Sequence, residues 1–79
     1  MAMPLYYFDI HNDDVTLDEE GATLADGHAA HAYAVKAARS LAAETVSKGH
    51  LTLSHWIEIQ DADHAPILRV TFGDAVEIR

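Results

Sequence analysis

Six histidines and thirteen carboxylates are the groups in this 79-residue chain that could do chemistry. His28 and His31 stand three residues apart, a spacing that puts two imidazoles on one side of a helix and suits a metal ligand pair. No His-Glu-x-x-His pattern accompanies them, and the chain has no cysteine. His50, His55 and His64 are scattered. A closed metal site needs about four ligands, and these residues do not assemble one, so solvated histidines are the expectation. Asn12-Asp13-Asp14 with Asp18-Glu19-Glu20 lacks the glycine and the closing glutamate of a calcium loop. Paired carboxylates for acid–base work need a cleft that separates their pKa values, and so short a chain has no second layer to form one. No catalytic residue and no cofactor is therefore expected.

Bulk properties narrow the class further. The length is that of one domain, spanning residues 3–79. Hydrophobic residues make up 49%, which argues against disorder. The net charge is −8, falling to −2 if all six histidines are protonated. Such a balance repels phosphate backbones and anionic bilayers, which disfavours nucleic-acid and membrane roles. No apolar run approaches the roughly 20 residues of a membrane span. Met1-Ala2-Met3-Pro4 does not begin a secretory signal. A cytoplasmic protein is expected. A domain this small and without disulfides has a thin core, a deficit often offset by oligomerisation.

Strands and one helix must position these groups. Leu5–His11 reads as a strand, with Tyr6, Phe8 and Ile10 on one face and Leu5, Tyr7 and Asp9 on the other. Asn12-Asp13-Asp14 is a turn, and Val15–Asp18 a short returning strand. Asp26 is suited to cap a helix that runs from Gly27 to about Lys48, where Gly49 fits the residue past its end. Ala30, Ala34, Ala37, Ala38, Leu41 and Thr45 form its inner stripe; His28, Lys36, Arg39, Ser40 and Ser47 lie outward. A third strand over His55–Gln60 sends Ile57 and Ile59 one way and Trp56, Glu58 and Gln60 the other. After a turn at 61–65, a fourth strand from Pro66 to Phe72 turns Leu68, Val70 and Phe72 inward and Ile67, Arg69 and Thr71 outward. Gly73-Asp74 breaks it, and Val76 and Ile78 of the tail are placed to dock. The order ββαββ predicts an α+β domain, a four-stranded, mainly antiparallel sheet with the helix on one face. Placing the third strand beside the first keeps all neighbours antiparallel.

The runs Met3-Pro4-Leu5-Tyr6-Tyr7-Phe8-Asp9-Ile10-His11-Asn12 and Asp18-Glu19-Glu20-Gly21 carry a likeness: the chain resembles a family of small bacterial proteins known as domain of unknown function 6894. The likeness continues through Leu24-Ala25-Asp26 into the alanine-rich helix, then Trp56-Ile57-Glu58-Ile59 and Asp61-Ala62-Asp63. Met1 and Ala2 precede it. Where members tend to have Gly in the last turn, this chain has Asp63-His64. The resemblance implies the ββαββ domain and carries no activity with it.

One helix covers one face of a sheet. Leu5, Tyr7, Trp56 and Ile67 then lie on the uncovered face with Glu58, Gln60, Arg69 and Thr71. Apolar patches rich in Trp and Tyr mark interfaces. The expectation is a non-enzymatic interaction module, a homodimer through this face (Leu5, Tyr7, Trp56, Ile67, Arg69) or through an edge strand, or a domain that binds another protein. Three rivals are a ligand-binding protein with a pocket between helix and sheet rimmed by Tyr33 and His31, a metal-binding protein, and a pH-responsive regulator using the histidines. Aromatics on an open sheet can also stack nucleic-acid bases, but in a basic setting that this chain lacks.

Overall fold

The computed structural model describes residues 3–79. Strand β1 (Leu5–His11) is followed by two short strands, β2 (Val15–Thr16) and β3 (Ala22–Thr23), then helix α1 (Gly27–Ser47), strands β4 (Trp56–Gln60) and β5 (Pro66–Thr71), and a single helical turn α2 (Phe72–Ala75). All pairings are antiparallel. The order across the sheet is β2-β1-β4-β5, with β3 also paired to β1. This is the α+β arrangement and strand order expected.

Alternation places the core. Tyr6, Phe8, Ile57, Ile59 and Val70 are buried with Ala30, Ala34, Ala38 and Ala42 of α1. Ala34 and Ala38 are 0% exposed, so the helix lies close on the sheet, as small side chains permit. The helical stripe runs through Ala42 rather than Leu41 and Thr45, which are only half-buried, because an i, i+4 row follows the contact line most closely.

Both helix ends are chemically specified. The Asp26 carboxylate accepts the Ala29 N–H at 2.9 Å. At the other end the Gly49 N–H donates to Val46 O and the His50 N–H to Thr45 O, with Gly49 at φ 95°; this is the Schellman closure, whose left-handed residue favours glycine. Replacing Asp26 by alanine is expected to cost about 1 kcal/mol, measured by urea unfolding. No change in the midpoint would show the cap to be dispensable.

Four expectations need correction. The returning strand stops at Thr16 rather than Asp18, because Asp18 turns its side chain to the β1 backbone. The last strand ends at Thr71; Phe72 opens α2 under a capping box between Thr71 and Asp74. Leu68 points to the helix side, opposite Ile59, yet is 47% exposed, because the helix side of β5 is covered at Val70 and not at Leu68; in the tail, Val76 docks while Ile78 stays exposed.

Candidate functional site

The sheet face opposite α1 carries a cluster of polar and aromatic groups. Alternation along β1 supplies Tyr7, Asp9 and His11, and along β4 Trp56, Glu58 and Gln60; register sets His11 beside Trp56 and Asp9 beside Glu58. Arg69 of β5 stands beside Glu58 on the other side. The Trp56 indole is stacked with His11, ring centres 4.6 Å apart and planes 8° off parallel, and with the Arg69 guanidinium carbon 4.3 Å from its ring centre. The two partners come from the strands flanking β4, so the indole is held from both sides, the guanidinium by cation–π attraction. His11 Nε2 lies 3.6 Å from Glu58 Oε2.

A second group surrounds Asp9 and Gln60, which are buried. Gln60 Nε2 donates to Asp9 Oδ2 at 2.7 Å and to Glu58 Oε1 at 3.2 Å. The Asp18 N–H donates to Asp9 Oδ1 at 2.9 Å. His64 Nδ1 lies 3.1 Å from Gln60 Oε1, and its ring stacks on Tyr7 at 3.9 Å. His64 has φ 63°, a left-handed conformation uncommon outside glycine, asparagine, aspartate and histidine. It belongs to the pair Asp63-His64 that stands where glycine is expected, and its contacts to Tyr7 and Gln60 hold it there.

The five residues proposed from sequence do not share one environment. Leu5, Tyr7 and Trp56 are half-buried, and Arg69 is exposed. Leu5 and Tyr7 flank Gly21, where an added Cβ would come within 2.9 and 3.2 Å of them and 2.7 Å of Tyr6 O. Ile67 is 53% exposed. The face is therefore partly covered by its own stacked side chains, and the exposed aliphatic side chains lie along the β5 edge, at Ile67 and, on the helix side, Leu68. Sequence reasoning set Gln60 and Glu58 on this face but missed Asp9 as their partner, and missed Leu68. The even spacing Tyr7, Asp9, His11 against Trp56, Glu58, Gln60 was the available signal.

The remaining histidines separate. His28, His31 and His50 are exposed. His55 packs edge-on against Phe72 with Nε2 3.5 Å from Asp13. Among the described residues no group of three or more His, Cys, Asp or Glu could hold a metal ion. Tyr33 packs against Phe8 with ring planes tilted by 41°, and the helix–sheet interface beside it is closed by buried alanines. Among the described residues no helix is long and apolar enough to cross a membrane.

No curated protein and no solved structure matches the chain significantly. The model of one protein family matches residues 5–73, from the start of β1 through the opening of α2. The matched span contains the Asp9–Gln60 pair, the Trp56 stack and Asp18, and the chain belongs to the family described as domain of unknown function DUF6894.

Proposed function

We propose that this chain is a non-enzymatic interaction module that self-associates as a homodimer through the β5 side of its sheet. Ile67, Leu68 and Arg69 form the centre of the contact, Trp56 flanks it, and Tyr7 and Leu5 lie toward its margin. One observation carries this reading: β5 is an edge strand with Ile67 and Leu68 about half exposed and no carboxylate along Pro66–Thr71. Exposed apolar edges invite strand pairing.

Charge supports the choice of edge. Residues 1–26 hold seven Asp and Glu and no Lys or Arg; residues 27–79 hold six and all five Lys and Arg. Two copies therefore repel most through their β1–β3 ends and least through β5. The sandwiched indole adds a flank with few rotamers left to lose on binding, which favours association.

Sedimentation velocity from 5 to 500 µM is the test. A concentration-dependent dimer is expected, with Ile67→Lys raising its Kd about tenfold or more and Trp56→Ala less. A strict monomer across this range, unaffected by either substitution, sinks the proposal.

A further inference from the structure

The contact row of α1 does not end with the sheet it covers. Ala30, Ala34, Ala38 and Ala42 are buried, and Val46, the next member at the same spacing, is 56% exposed. Rows of i, i+4 side chains wind around a helix at about 26° to its axis, so by the last turn the row faces the tail of the chain instead of the strands. Leu51, from the connector after Gly49, and Val76 and Ile78, from the tail, face Val46 across an open groove of about 450 Å³. Ala42 and Ala43 lie along it and add no bulk to fill it. Small-molecule sites have volumes of about 300–1,000 Å³ and are mostly apolar with a few placed polar groups.

Arg39 supplies such a group. It lines the same groove, on the helix stripe that carries Ala42, Ala43 and Val46 at three, four and seven residues' distance. Its Nε donates to Ala75 O at 2.6 Å. That bond fixes the guanidinium across the seam between α1 and the tail and leaves the two Nη groups in the fork that takes a carboxylate end-on. The chain has thirteen Asp and Glu against five Lys and Arg, yet no described carboxylate forms an ion pair with Arg39. Lys48 pairs with Glu44 and Arg79 with Glu77, and Arg69 lies on Trp56. Lys36 is also without a carboxylate, but it lines a separate depression beside Tyr33 and Ser40. Glu77 is the one acidic residue of the groove, and its carboxylate is taken by Arg79 Nη2 at 2.8 Å.

We infer that this groove binds an unbranched aliphatic carboxylate of medium chain length, its head on Arg39 and its chain along Val46, Leu51 and Ile78. Charge decides the sign of the head: the fixed cation at the groove wall needs an anion, and no side chain of this protein supplies one. Geometry decides the length. Arg39 and Val46 are seven residues apart on α1, roughly 10 Å along its axis, the reach of an extended chain of about eight carbons. The site lies on α1 and the tail, apart from the residues assigned above to self-association.

Titration with octanoate, followed by the amide signals of the protein at fixed concentration, tests this independently of self-association. Octanoate is expected to bind with a Kd of about 0.1–1 mM and to move the signals of Ala43, Val46, Leu51 and Val76. Butanoate should bind at least about tenfold more weakly, because fewer methylenes are buried. Octan-1-ol should also bind at least about tenfold more weakly, because it offers the guanidinium no charge. Arg39→Gln should weaken octanoate about tenfold and leave octan-1-ol unchanged, a split that mere loosening of the tail would not produce. Val46→Asp, a change at an exposed position, should weaken both. Unmoved groove signals at about ten times the expected Kd, or octan-1-ol binding as tightly as octanoate, would overturn the inference. So would groove signals that move with protein concentration alone, which would make the groove a contact between copies.

Discussion

Truncating Phe72 to alanine is expected to remove about 3–5 kcal/mol of stability, measured by urea unfolding at low micromolar concentration so that association does not contribute. Phe72 is the largest side chain in the fully buried set, at 1% exposure. It lies where β5 turns into α2, and its N–H donates to His55 O at 2.7 Å, so the ring is held by backbone on both sides of the turn. The surrounding core is built of alanine on the helix side, which has no long side chains to collapse into the space. A domain of this length has a total stability of only about 4–12 kcal/mol, so the variant should be partly unfolded at room temperature. Phe72→Leu keeps most of the volume and should lose less than half as much. A loss below 1 kcal/mol for Phe72→Ala would mean that the core relaxes around the cavity and that the α2 turn is held by its capping box alone.

The parts of this fold that follow from repeating patterns were legible. Ile57 and Ile59 point one way and Trp56 the other because side chains alternate along a strand, and Asp26 and Gly49 bracket α1 because each satisfies backbone groups left open at a helix end. What escaped depends on a side chain standing in for backbone. Asp18 reads as the end of a strand by sequence; its carboxylate accepts from Phe8, Glu20 and Gly21, so β2 ends early and β3 begins only at Ala22. No periodicity announces such a substitution. Leu68 escaped for another reason: alternation gives the face on which it lies but not how far the helix extends over that face. The same limit displaced the proposed contact surface, since Tyr7 and Trp56 were placed on the correct side without the neighbours, His64, His11 and Arg69, that half-cover them.

The Asp9–Gln60 pair should show strong mutual dependence. Both side chains are buried, at 6% and 8% exposure, and they join strands whose residues are 51 positions apart. Gln60→Leu leaves the Asp9 carboxylate buried with the Asp18 N–H as its one remaining donor among the described contacts, and removes the acceptor beside His64. Asp9→Leu leaves the Gln60 amide with its longer bond to Glu58 at 3.2 Å and strands the Asp18 N–H. Each single change is expected to cost about 2–3 kcal/mol, since an unsatisfied buried group loses its hydration without a replacement bond. The double replacement removes most of the stranded groups at once and supplies apolar surface in their place. It should therefore cost less than the sum of the two, with a coupling of about 1–3 kcal/mol. That coupling also bears on why a polar pair occupies an otherwise stacked face. Asp9 receives the Asp18 N–H. The Asp18 carboxylate in turn accepts the Phe8 N–H between the short strands β2 and β3 and closes the β1 edge, so the pair holds the edge residue in place. Asp9→Leu should for that reason increase association beyond two copies as well as lower stability, whereas Gln60→Leu should lower stability alone. Additive losses in the cycle, or larger assemblies appearing equally in both single variants, would separate the buried pair from the control of the edge.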